Sequence, residues 1–403
     1  MLIHRFVHRV YARLLRHSLS QTSLIGLRIL DRFRFPEYRV PRIDLKKLGL
    51  QKELIEKEVF LAFDSSTVPR FLLENPFRNQ DFSRLKIAIL INENENKLLI
   101  DVFQELRKSA IDVGHECEIF NFSSKFREAS RVQAGAINPN LELLDFNPDL
   151  VFIEAHNYPN DVVLSNGIEL GNLKTRLGFK LFVVAIDLWR HFDVNFIDLW
   201  ERHYDFLVHL DNESIREFGI KHEFWWPYFS HPLTPKEVSK DAKLVRFSGN
   251  LKFPDRRHFL YTCSSISKKL KIPFLIEGLQ YTSSEWRPRS DYLKDLANSL
   301  ACLNLTVKKK DFSLITFRTL DALVAGCALI QQESEHSRPL RDFLVPYKHY
   351  LPFTDITELQ ALFLLIKEKP DLIRQIALSG QQFYAEQYSN RYLWSLISAK
   401  INN

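Results

Sequence analysis

Residues 311–331 read DFSLITFRTLDALVAGCALIQ, a helix that runs at once into a strand. Ser313 or Thr316 can cap a helix over 315–325 by accepting from first-turn N–H groups, and Gly326 stops it ahead of a strand at 328–331. Leu320, Leu323, Val324 and Cys327 fall at i, i+3, i+4 and i+7, the spacing of a buried stripe. Arg318, Asp321, Ala322 and Ala325 repeat that spacing on a second face. Those four supply a cation, a carboxylate and two methyl groups beside a helix start, where backbone N–H groups and the helix dipole favour an anion. The pattern fits a diphosphate near Arg318, ribose hydroxyls on Asp321, and alanines that leave room for the ligand. It equally fits a solvated i, i+3 ion pair worth roughly a few tenths of a kcal/mol.

Outward from that stretch the same alternation repeats. Strands are expected at 244–248, 273–277, 300–305 and 328–331, with helices from about 255, near 290–299, and over 357–368 and 370–386. An earlier series has strands at 86–91, 116–120, 149–154, 180–186 and 206–210, with 97–112 as a crossover helix. Most strand candidates are continuous apolar runs, as in parallel sheets covered on both faces. Between the two series lies 225–243, WWPYFSHPLTPKEVSKDAK, whose three prolines mark a linker. Two doubly wound α/β domains in series follow, with a helical extension ahead of them. The expected divisions are 1–80 (basic helix and connector), 81–228, 229–386, and a final helix, 387–403, that can cross back to the first domain.

A chain of 403 residues exceeds one compact core. Its 45% hydrophobic and 26% charged composition excludes disordered and fibrous classes. Cys117, Cys263, Cys302 and Cys327 form no CxxC pair and sit in or beside apolar runs, which reads as buried thiols in a reducing cytosol. Residues 1–34 hold seven arginines against Asp31, enough to account for the whole net charge of +6, so the rest is near neutral and no nucleic-acid partner is expected. Within that segment Ile3, Phe6, Val7, Val10 and Leu14 recur at helical spacing opposite Arg5, His8, Arg9, Arg13 and Arg16. Such a helix suits an anionic membrane surface, packing on the protein's own body, or a transit peptide. No apolar run reaches the length of a transmembrane helix. The expected location is the cytoplasm, with peripheral attachment to the inner membrane face through 1–34.

The residues 317–330 follow the form FR-T-x-E/D-A-x-A-x-G-x-x-L/I, with Val324 at its second alanine. At a distance follow a strand, the D-x-x-E-L of 355–359, the Arg-x-x-A-x-x-G of 374–380, and QYSNRYL at 387–393. In the first half, KLFVVAID at 180–187 and the stretch 203–229 add to the pattern. In this order and spacing the chain resembles the CgeB and YkvP-like GT-B glycosyltransferases, a branch close to glycosyltransferase family 4, over roughly 86–395. The resemblance implies two Rossmann-like domains facing a cleft. It also implies transfer of a sugar from a nucleotide-diphosphate donor, held by the second domain, to a glycan or glycolipid acceptor. Relatives carry two glutamates eight positions apart; here those positions are Ser313 and Asp321.

The donor site then takes in Ser313, Thr316, Phe317, Arg318, Thr319 and Asp321, with Gly249, Arg256 and Arg257 of 245–257, Glu277 for the base, and Lys308 in the loop after a strand. Arg256, Arg257 and Lys308 also fit ordinary solvated surface. On the acceptor side, His156 in EAHNYP and Asp187 each follow a strand; His156 is a candidate general base, although a hydrogen-bonded loop histidine fits as well. There is no DxD, GxGxxG, P-loop, HExxH or GxSxG, so no metal or cofactor is expected, and the helix dipole with basic side chains would stabilise the leaving diphosphate. A non-catalytic relative that binds a nucleotide sugar or a partner enzyme is the alternative. An epimerase would need converging histidines and carboxylates that the sequence does not display.

Overall fold

The structure is a computed structural model that describes residues 44–75, 83–92, 97–122, 139–154, 173–185, 204–209, 223–225, 241–249, 251, 254–278, 289–305, 315–334 and 338–402. The chain divides into two compact units, Phe71–Pro232 with Gln387–Asn403, and Met1–Arg70 with Leu233–Glu386.

In the first unit, β1 (Lys86–Asn92), β2 (Glu116–Phe122), β3 (Leu150–Glu154), β4 (Lys180–Ala185), β5 (Phe206–His209) and β6 (Glu223–Trp225) form one parallel sheet of order β2-β1-β3-β4-β5-β6. Ile87, Ala88, Ile89, Leu90 and Ile91 are all buried, so both faces of β1 are covered. The crossover helix Lys97–Asp112 turns Val102, Phe103, Leu106 and Ala110 inward at helical spacing. Asp149 and Asp205 precede β3 and β5, and each accepts from an N–H at the start of the adjacent strand, Lys86 N at 2.7 Å and Leu181 N at 2.7 Å. The short β6, with Glu223 in it, was not expected from sequence. The last helix, Asn390–Asn402, belongs to this unit: the fully buried Trp394 donates from Nε1 to Ser109 Oγ at 2.9 Å.

In the second unit, β7 (Val245–Gly249), β8 (Phe274–Gly278), β9 (Ala301–Asn304), β10 (Ala328–Gln332) and β11 (Leu351–Phe353) form a parallel sheet of order β11-β10-β9-β7-β8. Label its helices α1 (Leu45–Asp64), α2 (Pro254–Leu270), α3 (Arg289–Ala297), α4 (Phe317–Val324), α5 (Ile356–Glu368) and α6 (Pro370–Gln387). The strand that the resemblance placed ahead of Asp355 is β11. Asp355 caps α5, accepting from Thr357 N at 2.7 Å and Glu358 N at 2.9 Å, while Glu358 reaches back to Thr354 N at 2.6 Å. Gly380 is the one residue that fits at its place in α6, since a Cβ there would run into the His349 carbonyl and lie 2.9 Å from Leu323 Cδ2. Helix α1 buries Leu48, Ile55 and Val59 in this unit's core and is tied to α5 by Lys52 Nζ to Glu368 Oε2 at 2.6 Å. Among the described residues no helix is long and apolar enough to cross a membrane.

Both sheets share one order: the second strand lies outside the first, and the third lies on the first strand's other side. The direction of winding therefore reverses between β1 and β3, and between β7 and β9. In doubly wound sheets such a reversal point, at the carboxyl ends of the strands, is where ligands bind.

Each unit carries a buried histidine held neutral. His115 accepts at Nδ1 from Leu85 N (3.2 Å) and packs edge-on to Trp394. His349 accepts at Nδ1 from Val345 N (3.1 Å) and stacks on Phe383. Burial lowers their pKa to about 4 and about 3, and Lys348 adds to the shift at His349. The unfolded chain takes up these protons near pH 6.5, so stability is full above that value and falls as pH drops toward the folded values. Each histidine is expected to remove about 2 kcal/mol by pH 5. Urea unfolding at stepped pH checks this, and His349→Gln should flatten the slope for the second unit. A flat profile from pH 7 to 5 would contradict it. All four cysteines are buried thiols whose pKa burial raises, Cys117 and Cys302 to about 12.

Candidate functional site

The reversal point of the second sheet is built from the ends of β7 and β9 and the start of α4. Strand β9 ends on Asn304, a fully buried amide. Its Nδ2 lies 2.8 Å from Thr319 Oγ1, 2.8 Å from Gln331 Oε1 and 3.1 Å from Thr316 Oγ1. Gln331 near the end of β10 in turn donates to the Gln332 carbonyl at 2.9 Å. Thr316 takes the cap position of α4, and its N–H donates to Thr319 Oγ1 at 3.2 Å. A buried amide with no partner would cost about 1–3 kcal/mol, so this network fixes the helix start against two strands.

Arg318 is laid across that platform. Nε donates to Asn304 Oδ1 at 3.2 Å, Nη1 donates to the Ser248 carbonyl at 3.1 Å, and the guanidinium lies 5.7 Å from the Phe247 ring centroid. The close approach to β7 is possible because residue 249 is glycine: a Cβ there would collide with Nη1 and lie 3.1 Å from Cζ. The side chain is partly exposed. Of its five N–H groups two are used, and the other three have no hydrogen-bond partner among the described residues. A cation held along one edge, with its second edge available, lies beside a helix N-terminus at a sheet's reversal point.

Several expectations are corrected here. The second face of the helix is closed: Asp321 is 3% exposed and Ala322 and Ala325 are fully buried. Helix α3 covers that face. Its Arg289 donates to Asp321 Oδ1 from Nε at 3.0 Å and from Nη2 at 2.5 Å. Burial pushes the Asp321 carboxyl up, and Arg289 opposes the shift. Asp321 is thus an internal partner of Arg289, and the alanines fill space rather than leave it. Neither arginine that opens α2 is surface: Arg256 is buried, and Arg257 is fully enclosed with Nη1 donating to the Leu251 carbonyl at 2.6 Å. Glu277 accepts from Arg246 Nη1 at 2.9 Å and Ser248 Oγ at 3.0 Å, in a cluster where Arg246 also meets Asp295 at 3.3 Å. That carboxylate is engaged in joining β7 to β8. Phe317 opens α4. His156, Asp187, Lys308 and Ser313 lie outside the described residues.

Residues 256–397 match the model of a family described as glycosyl transferase-like. No curated protein matches the chain in sequence. Among solved structures, an α-glucosyltransferase in complex with UDP and a 13-mer DNA containing a central A:G mismatch is similar over 80% of this chain and 100% of that one. The identity is 11% and the TM-score 0.50. An α-glucosyltransferase in complex with UDP and a 13-mer DNA containing an HMU base is similar over the same shares, at 12% identity and TM-score 0.51. The fold is GT-B. The catalytic domain of starch synthase IV from Arabidopsis thaliana, bound to ADP and acarbose, is also similar, over 78% of this chain and 100% of that one, at 12% identity and TM-score 0.49. In this GT-B chain the family match takes in α3, α4 and the whole Asn304–Arg318 platform.

Proposed function

We propose that this chain is a glycosyltransferase that moves a sugar from a nucleotide-diphosphate donor to a hydroxyl acceptor. The observation that carries the reading is Arg318, anchored on Asn304 and Ser248 with three N–H groups to spare among the described residues. The bond from the anomeric carbon to the diphosphate oxygen breaks while a bond to the acceptor oxygen forms. Negative charge grows on the leaving diphosphate, and a preorganised guanidinium beside first-turn N–H groups stabilises it without a metal ion. The acceptor's proton needs a base, for which His156 and Asp187 are the candidates from sequence. Cell-surface polysaccharide, lipopolysaccharide or another glycolipid is the acceptor class, because the basic segment 1–34 would hold the enzyme at the inner membrane face. The near-neutral body argues against nucleic acid as acceptor.

The test offers UDP-, GDP- and ADP-sugars with these acceptors and measures nucleotide release. Turnover with one donor is expected. Gly249→Ala should raise the donor KM roughly tenfold, because the added methyl displaces Arg318 and removes about one charged hydrogen bond; an unchanged KM would count against the site. One observation favours a second reading, a nucleotide-sugar binder without turnover: Ser313 replaces the first glutamate of the relatives, and Asp321 at the second is committed to Arg289. Tight nucleotide binding with no release in any donor–acceptor pair would select it.

A further inference from the structure

Helix α1 has two apolar faces, and only one is used. At 100° per residue Leu48, Ile55 and Val59 point into the core, while Leu50, Leu54 and Leu61 fall within about 40° of one another on the opposite side. These three are 59%, 58% and 56% exposed. Lys47 and Lys57 flank the stripe, are exposed, and form no ion pair among the described residues. Lys52, on the packed side, is by contrast paired with Glu368 and Glu56.

We propose that this outer face of α1 is a membrane-contact surface that seats Leu50, Leu54 and Leu61 in the interface of an anionic bilayer. The idea rests on the membrane placement in the reading above and adds a second contact to it, on the unit that carries Arg318. A helix that serves only a soluble core needs one apolar stripe, and a second one marks a contact. The three side chains offer roughly 300 Å², well under half of the ~800 Å² per partner that a stable protein interface uses, so a second copy of this chain is a poor occupant. A bilayer needs no matching patch. Lysines that flank an apolar stripe can lay their stems along it and leave their ammonium groups at the phosphate level. The seven arginines of residues 1–34 enter the chain just ahead of α1 and supply the long-range attraction that this narrow stripe lacks.

The experiment floats the full chain with vesicles of phosphatidylcholine alone or with about 30–40% phosphatidylglycerol. Binding to the anionic vesicles and little to the neutral ones is expected. Leu54→Glu with Leu61→Glu should weaken anionic binding roughly tenfold or more, with nucleotide binding and melting temperature unchanged. Deletion of 1–34 should weaken it too, and the two changes together should abolish it. If the deletion alone abolishes binding and the Leu54/Leu61 variant binds like the parent, the α1 surface is refuted while the membrane placement stands. If the parent binds neither vesicle, both fail. If the parent is a dimer that the double variant splits with vesicle binding intact, the face is a subunit contact and the proposal falls.

Discussion

Asp321→Ala is expected to destabilise the second unit by about 3–5 kcal/mol, the cost of leaving a buried charge without its partner. Arg289 is buried and donates twice to Asp321 Oδ1, and α3 and α4 close over the pair. Truncation removes the acceptor but not the cation. Arg289→Met with Asp321→Leu should recover most of the loss, because neither charge is then left in the interior. Hydrogen exchange of the β9 and β10 amides is the measurement, since it reports this unit by itself whether or not the whole chain unfolds in one step. Parent-level protection in Asp321→Ala would show that the pair is idle. This is the reverse of what the sequence suggests, where Asp321 stands on an open face and its loss should spare the fold.

Why the sequence misleads at Asp321 and informs elsewhere is a matter of range. The strand runs such as Ile87–Ile91 are legible because a parallel strand buried on both faces leaves one continuous apolar word. Strand β6 is three residues long and holds Glu223, so its pairing with β5 has no local signature. The spacing of α4 is also local, and it correctly sets Leu320, Leu323 and Val324 inward. What covers the other face is not local: Arg289 lies 32 positions upstream, and no periodicity within 311–331 reports it. The near neighbour Arg318, at i−3, therefore looks like Asp321's partner. In the structure it reaches instead to Asn304 and Ser248, 14 and 70 positions away.

The platform under Arg318 leaves fainter traces. Asn304 ends an otherwise apolar run, and a polar side chain there is a hint that its burial must be matched by partners; Thr316, Thr319 and Gln331 are those partners. Gly249 looks like an ordinary turn residue after a strand. Its reason is steric, the space that Arg318 occupies. Arg256 and Arg257 look like solvated first-turn cations, yet they are buried, because the apolar stripe of α2 begins at their own turn and draws them inside.

Arg318→Ala is expected to lower kcat/KM for glycosyl transfer roughly 100- to 1000-fold, about 2.7–4 kcal/mol, the range found when one preorganised donor to a developing anion is removed. The loss should fall on kcat more than on KM, because charge on the departing diphosphate is greater in the transition state than in the bound donor. Arg318→Lys should recover little. An ammonium keeps the charge but cannot donate sideways to Asn304 and to Ser248 while presenting a planar pair of N–H groups outward. Asn304→Ala separates placement from charge: the cation remains, its Nε anchor is gone, and the expected deficit lies between those of the lysine variant and the parent. Single-turnover kinetics with the donor identified by nucleotide release, alongside nucleotide affinity by calorimetry, measures all three. Arg318→Ala with parent kcat and parent affinity would place the diphosphate somewhere else.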